Sequence, residues 1–224
     1  MLQSLSQSLS FRRGDAPEIL DRLRISPETT MGQYLFVVRD ECFCGSYRGG
    51  ACGLRCTKIG DGSYALTTTP TVNHGPINHY YFPYRSEGEG GVGECSVPRG
   101  SANGTVVVTG GMNGCALQVN RGNDNQLRFY HDANGRSLRR RSDIGGAVLC
   151  RIPYGTYSPN DIGIQSAGEA MAKGRGKAFF VYYLISIKVN GRWKVYASGI
   201  IEDEHEHRTR IPGGELCVGE FSED

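Results

Sequence analysis

The chain has 224 residues, of which 38% are apolar and 21% are charged, so it can bury a core and does not belong to the disordered class of proteins. Glycine accounts for 32 residues, about twice its usual share of ~7%, which favours short strands and turns over a helical bundle. The net charge of +2 does not indicate a nucleic-acid binder, and no apolar run reaches the ~18 residues of a membrane-spanning helix.

The N-terminal residues 1–14 are rich in Ser, Leu and Gln, and we expect them to form a flexible arm ahead of one domain over residues 15–224. The arm lacks the basic start and the continuous apolar segment of a secretory signal peptide. An uncleaved export signal stays open as an alternative. Residues 16–25, with Pro17 near their start and apolar residues on one face, predict a short amphipathic helix.

Most of the remaining chain is predicted as strands, because runs rich in β-branched and aromatic residues are bounded by Gly, Asn or Pro. These runs are residues 33–38, 77–82, 105–109, 115–119, 127–131, 146–152, 178–189 and 192–201. Asn190-Gly191 separates the last two, and this pair is typical of a type I′ hairpin turn. A second short helix is predicted at residues 165–173. The fold class is therefore a β-dominated α+β domain with one core.

The eight cysteines form no regular disulfide framework, so we expect free thiols in a reducing compartment. Four of them, Cys42, Cys44, Cys52 and Cys56, fall within one short segment. Their spacing differs from the paired C-x2–4-C knuckles of structural zinc sites. We interpret them as reduced cysteines in a glycine-rich loop, and zinc binding stays open.

The stretch 105–135 holds the residues with the clearest chemistry. Cys115 opens one predicted strand, His131 closes the next, and residues 120–126 join the two as a hairpin. Since the first residue of one antiparallel strand faces the last residue of its partner, we expect both side chains at the same end of the sheet. They meet if both point to the same face. A nearby imidazole activates a thiol as a nucleophile, so the pattern predicts cysteine chemistry.

The glycine-rich turn at residues 109–114 precedes the sulfur directly. Glycines let backbone N–H groups approach a substrate closely, so we expect the amides of Gly114 and Cys115 to form an oxyanion hole. The alternative is that Cys115 is an ordinary buried thiol and His131 a polar residue at a strand end.

The sequence Met112-Asn113-Gly114-Cys115, followed by His131, resembles the cytotoxic necrotizing factor-like glutamine deamidases. Those bacterial toxins carry a Leu-Ser-Gly-Cys signature and a catalytic histidine on the adjoining strand. Gly114 and Cys115 match the signature, whereas Met112 and Asn113 depart from it. The resemblance covers about 30 of the 224 residues.

The resemblance implies a β-sandwich of mixed or antiparallel sheets with a few short flanking helices. It also implies a main-chain carbonyl that orients the histidine, and Thr109 or the strand at Tyr81 and Phe82 could supply it. The implied function is a toxin or effector, secreted or injected by a bacterium, that deamidates or transglutaminates a glutamine of a host protein in the host cytosol. A Rho-family GTPase is the implied substrate class, and other host proteins stay open. We expect a single catalytic domain that is a monomer and needs no cofactor or metal.

Arginines follow the predicted catalytic strand at positions 136, 139, 140 and 141. Arg136, Arg139, Arg140 and Arg141 are predicted to bind an acidic surface of the substrate, with a solvated loop as the alternative.

Several other assignments stay open at this point. His74 or His79 could pair with Cys115 in place of His131, and the acidic, histidine-containing segment 202–207 is a metal site or a solvated loop. A cysteine peptidase using the same pair would need an Asn or Asp behind the histidine, and Asp132 and Asn134 are poorly placed for that in the sequence. The alternative from another class is a non-catalytic β-sandwich binding domain.

Overall fold

The computed structural model describes residues 16–71, 79–174 and 176–224, so the expected arm at residues 1–14 lies outside the described residues. The described elements are, in chain order, α1 (Ala16–Ile25), α2 (Pro27–Gln33), β1 (Leu35–Arg39), β2 (Gly50–Gly60), β3 (Ser63–Thr69), β4 (His79–Phe82), β5 (Val92–Pro98), β6 (Val106–Thr109), β7 (Ala116–Arg121), β8 (Gln126–Asp132), β9 (Ala147–Ile152), α3 (Tyr154–Tyr157), α4 (Ile162–Ala172), β10 (Ala178–Val189), β11 (Arg192–Asp203), β12 (Arg208–Arg210) and β13 (Cys217–Phe221). Short 3-10 turns occur at Glu87–Glu89, Ala133–Gly135, Leu138–Arg140 and Pro159–Asp161.

The strands form two sheets. The large sheet has the order β1-β3-β2-β4-β6-β10-β11-β12, and β13 also pairs with β11. It is mixed, because β1 runs parallel to β3 and β4 runs parallel to β6. The small sheet has the order β5-β8-β7-β9 and is antiparallel throughout.

The small sheet packs on one face of the large sheet, and the space between them is the main hydrophobic core. Phe82, Leu184 and Trp193 come from the large sheet, and Leu117 and Phe129 come from the small sheet. All five side chains are fully buried. The prediction of a β-dominated α+β sandwich with short flanking helices is therefore confirmed.

The opposite face of the large sheet is covered by α1 and α2. Ile19 and Leu23 of α1 and Met31 of α2 are fully buried there against Val106 and Ile185. The predicted helix at residues 16–25 is thus confirmed as α1. Among the described helices, none combines the length and the apolar character needed to cross a membrane.

The β10–β11 hairpin has the predicted turn. Asn190 and Gly191 have φ angles of 50° and 79°, the left-handed values that a type I′ turn requires. Val189 pairs with Arg192 beside the turn, and the register continues without a shift to Ala178 and Asp203.

The prediction of a glycine-rich loop for the cysteine segment is wrong over residues 50–60, which form β2. Cys52 and Cys56 lie on the same face of this strand and are buried under α1, and burial raises the pKa of each thiol to about 12. All eight cysteines are free, and Cys44 is exposed. In the described ranges, no group of three or more His, Cys, Asp or Glu side chains is arranged to hold a metal ion.

Candidate functional site

Cys115 and His131 lie at the same end of the small sheet. Leu117 of β7 pairs with His131 of β8, and Cys115 immediately precedes β7. Because side chains alternate along a strand, Cys115 and Leu117 share the face on which His131 lies, and that face looks into the core between the sheets. Cys115 and His131 therefore share a face and an end of the small sheet, while no hydrogen bond joins Sγ to a ring nitrogen among the described residues, so the catalytic pair stays a prediction.

His131 is fully buried, and only one of its ring nitrogens has a partner. Its Nδ1 lies 2.8 Å from the hydroxyl oxygen of Thr109, and its Nε2 has no hydrogen-bond partner among the described residues. The rings of Phe82 and Tyr84 pack edge-on against the imidazole, with centroids 6.4 and 5.2 Å away. Burial lowers the pKa of His131 to about 3, so the imidazole is neutral at physiological pH.

Thr109 orients this histidine with its side chain. The expectation that a main-chain carbonyl plays this part needs correction, since the contact is made by Thr109 Oγ1. Thr109 is the last residue of β6 in the large sheet, so the hydrogen bond crosses the sandwich to β8. Of the other two residues considered, Phe82 contacts the imidazole only through its ring, and Tyr81 packs in the core on the opposite face of the large sheet.

The Cys115 thiol is also buried, with 4% of the residue exposed. Its Sγ lies 3.9 Å from the carbonyl oxygen of Asn113, and its own carbonyl accepts a 2.8 Å hydrogen bond from the Tyr157 hydroxyl. Burial raises the pKa of the thiol, while backbone groups of Asn134 and Asn113 act in the opposite direction. In the resting protein both groups are therefore neutral, the thiol of Cys115 and the imidazole of His131.

The turn before Cys115 is held on β10. Met112 donates its backbone N–H to the carbonyl of Tyr182 at 2.7 Å. The side-chain amide of Asn113 donates from Nδ2 to the carbonyl of Phe180, also at 2.7 Å. Gly114 has a φ of 82°, which a residue with a side chain rarely adopts, and it sets the chain direction into Cys115. The amides of Gly114 and Cys115, which we expect to form an oxyanion hole, directly follow this anchored turn. The oxyanion hole itself stays a prediction.

The other wall of the site is the turn Ala133–Gly135, which Asp132 and Arg151 hold in place. The buried Asp132 carboxylate accepts hydrogen bonds from the Leu138 amide at 3.0 Å and from Arg151 at 3.2 Å. Arg151 also donates to the carbonyl of Gly135 at 2.7 Å. The Asp132 side chain therefore lies on the face of β8 opposite to His131, where its carboxylate is already hydrogen-bonded, and it does not orient His131.

Two rival partners for Cys115 have different outcomes. His79 begins β4, and its Nδ1 accepts the backbone N–H of Val106 at 3.2 Å. Since β4 and β6 are parallel, His79 lies at the opposite end of β6 from Thr109, about 10 Å away along the strand at ~3.3 Å per residue. His79 is therefore not the partner of Cys115. His74 lies outside the described residues.

The acidic segment 202–207 comprises the last two residues of β11 and the polar turn that leads to β12. One oxygen of Asp203 accepts the backbone N–H groups of His205 and His207, each at 2.9 Å, and Arg208 pairs with Glu202. Both histidine side chains are exposed. These contacts account for the segment as a solvated turn.

The four predicted substrate-binding arginines do not behave alike. Arg136, Arg139 and Arg140 are exposed just beyond the turn that flanks Cys115. Arg141 is half-buried and donates a 2.9 Å hydrogen bond from Nε to Asp143, with which it forms an ion pair. The first three are available to a partner, and Arg141 is already paired.

Three contributors to the site were not found from the sequence: Tyr84, Arg151 and Tyr157. Each reaches the site from a segment distant from residues 105–135, and no local spacing links them to Cys115. Comparison with protein-family models gives no match to this chain, and comparison with curated proteins gives no significant match.

Proposed function

We propose that the chain is a cysteine-dependent deamidase acting on a glutamine side chain of a host protein, as a bacterial toxin or effector. Cys115 is the nucleophile, His131 the general acid and base, and Thr109 the residue that positions His131. The observation that carries the proposal is the state of the imidazole: Nδ1 is held by Thr109, and Nε2 is buried without a described partner on the face that carries Cys115. That arrangement leaves one nitrogen free to exchange a proton.

The reaction begins as Nε2 of His131 takes the thiol proton while Sγ of Cys115 attacks the carboxamide carbon. The backbone amides of Gly114 and Cys115 stabilise the oxyanion. The imidazolium then gives its proton to the nitrogen, the C–N bond breaks, and ammonia leaves. Water attacks the thioester, losing a proton to Nε2, and the C–S bond breaks to leave glutamate and the thiol. A primary amine in place of water gives the transglutaminated product.

Burial supports a concerted proton transfer over a preformed ion pair. It lowers the pKa of His131 to about 3 and raises that of Cys115, so separate ions are unfavourable in the resting site. The proton therefore moves as the new C–S bond forms. In this proposal the backbone amides of Gly114 and Cys115 receive the resulting charge.

The closed surroundings of the pair favour a side chain over a main chain as the substrate. His131 is fully buried and Cys115 is nearly so, whereas a peptidase needs an extended groove for the chain on both sides of the scissile bond. A peptidase would also need a carboxylate or amide behind the histidine. Asp132 does not serve in this way, because its carboxylate binds Arg151 and the Leu138 amide. A protruding glutamine brings only one carboxamide to the thiol.

Incubation with a purified Rho-family GTPase, followed by intact-mass measurement and peptide mapping, tests the proposal. The expected product carries glutamic acid in place of one glutamine and is absent with Cys115→Ala and with His131→Ala. Cys44→Ala is the matched control, because Cys44 is exposed and outside the site. To include other substrates, dansylcadaverine incorporation into a host-cell lysate is measured with the same variants. Cleavage of the substrate into fragments would indicate a peptidase in place of a deamidase. Dansylcadaverine incorporation that persists in Cys115→Ala would refute the proposal.

A further inference from the structure

The side chains of Cys115 and His131 are buried, whereas the ring of Tyr84, which packs against His131, is partly exposed to solvent. His131 is 0% exposed and Cys115 4%, whereas Tyr84 is 49% exposed. A substrate carboxamide has to reach both of the buried groups. Some part of their surroundings must therefore move. The half-exposed ring of Tyr84 faces water on the side of His131, and the exposed residues Asn113 and Asn134 flank Cys115.

Tyr84 packs against His131 and lies close to the turn that leads to Cys115. Its ring packs edge-on against the imidazole of His131 with centroids 5.2 Å apart. A Cβ built on Gly110, at the start of the turn leading to Cys115, would lie 4.0 Å from the Cβ of Tyr84. Burial, and after it the charge of a Cys115 thiolate, raises the pKa of the Tyr84 hydroxyl, in keeping with a short separation between phenol and sulfur.

The backbone on both sides of Tyr84 is fixed. The carbonyl oxygen of Pro83 lies 1.7 Å from the position that a Cβ on Gly93 would take, so the two backbones are in close contact there. On the other side, the Glu89 carboxylate accepts hydrogen bonds from the Ser86 amide at 3.1 Å and the Ser86 hydroxyl at 2.8 Å. Since both flanks are held, the side chain is the unit that can move.

We propose that Tyr84 is an aromatic gate: rotation about its χ1 angle swings the ring off His131 and opens a channel, one side chain wide, to Cys115. Its role in turnover rests on the proposed function, whereas its control of access to the thiol does not. A channel as wide as one ring admits a long, unbranched side chain and rejects a main chain. The gate thus selects a glutamine that protrudes from the surface of a folded protein.

The rate at which iodoacetamide alkylates Cys115, followed by peptide mass spectrometry, tests the gate. We expect Tyr84→Ala to raise this rate about tenfold or more, because a buried thiol reacts only from an open state. Tyr84→Phe keeps the ring and should stay close to wild type. Tyr47→Ala is the matched control, since Tyr47 is 54% exposed and does not contact the pair. An unchanged rate for Tyr84→Ala overturns the proposal.

The same maps contain an internal control against general loosening. Cys52 and Cys56 are buried on the opposite face of the large sheet, and their alkylation should not change in Tyr84→Ala. Equal acceleration of all three cysteines would also overturn the gate. In an NMR titration of the histidine ring, the pKa of His131 should rise from about 3 toward its ordinary value of 6.5 once water reaches it. If the alkylation result is as expected and no substrate is deamidated, the gate stands and the proposed function fails.

Discussion

The hydroxyl oxygen of Thr109 lies 2.8 Å from Nδ1 of His131, and this contact joins the end of β6 in the large sheet to the end of β8 in the small one. A hydroxyl can fix the orientation of an imidazole without placing a negative charge beside it. A carboxylate in this position would stabilise the imidazolium. Burial lowers the pKa of His131 to about 3, and the uncharged Thr109 hydroxyl does not oppose that shift.

Replacement of Thr109 by Val should cost about 1–3 kcal/mol of unfolding free energy, since the buried Nδ1 loses its partner with little change in shape. Turnover should fall strongly because the imidazole loses its orientation. Thr109→Ser keeps the hydroxyl and should retain most of both properties. Urea unfolding and deamidation kinetics measure the two effects. Wild-type turnover in Thr109→Val would exclude Thr109 as the positioning residue.

Cys115→Ala should abolish turnover and cost only about 1 kcal/mol of stability, because the thiol is small and makes only a weak 3.9 Å hydrogen bond. His131→Ala should also abolish turnover, at a larger stability cost, since it empties a fully buried ring site between Phe82 and Tyr84. Thermal unfolding of each variant gives the stability, and intact-mass assays give the activity. A variant that is folded and fully active would remove that residue from the mechanism.

Much of the fold near the site could be predicted from local sequence. The hairpin of β7 and β8 follows from strand alternation and from the polar turn between the strands. So does the placement of Cys115 at the same end and on the same face of the sheet as His131. The Asn190-Gly191 turn follows from backbone preference alone. These features depend on neighbours in the chain, which a single sequence records.

The parts that could not be predicted depend on contacts between distant segments. β2 was interpreted as a loop because its glycines and polar residues obscure the alternation that buries Cys52 and Cys56. The Thr109 hydroxyl and the Tyr84 ring reach His131 from a different sheet and a different connection. Nothing in the spacing of residues 105–135 indicates which side chain will cross the sandwich.

Acid should destabilise the fold partly through His79. Burial, and to a smaller extent the charge of Arg24, lowers the pKa of this histidine to about 4. Between pH 6.5 and 4 the unfolded chain binds a proton at this residue and the folded chain does not. Stability is therefore lost as the pH falls, by up to ~1.4 kcal/mol per pH unit. His79→Asn offers an oxygen to the Val106 amide in place of Nδ1 and should lose this part of the pH dependence.

The measurement is the unfolding free energy of both proteins from pH 8 to pH 4. His131 is present in each and cancels in the difference, and at pH 8 the histidine is neutral in both states. The advantage of wild type over His79→Asn should shrink by ~3 kcal/mol on going to pH 4. A difference that does not change with pH would show that His79 does not contribute.

Thiol reactivity in the resting protein should not single out Cys115. Since the activated form is the thiolate, the high pKa and the burial of Cys115 should make it react more slowly than the exposed Cys44. Its rate should keep rising as the pH is raised above neutral. Time-resolved alkylation with peptide mapping at several pH values gives both results. Fastest labelling at Cys115 at neutral pH would indicate a preformed ion pair and a more open site.

Substrate steering should depend on Arg136, Arg139 and Arg140, which are exposed, and little on Arg141, which is paired with Asp143. Alanine at the first three positions should raise KM for an acidic protein substrate about three- to tenfold at low salt. The effect should fade near 1 M salt, where the Debye length is ~3 Å. Lys58→Ala is the control, because Lys58 lies toward the far end of β2 from the site and pairs with Asp61. The rate of Cys115 alkylation should be the same in all these variants, which separates steering from chemistry. An unchanged KM in the triple variant at low salt would leave the arginines as solvated surface and the Cys–His chemistry intact.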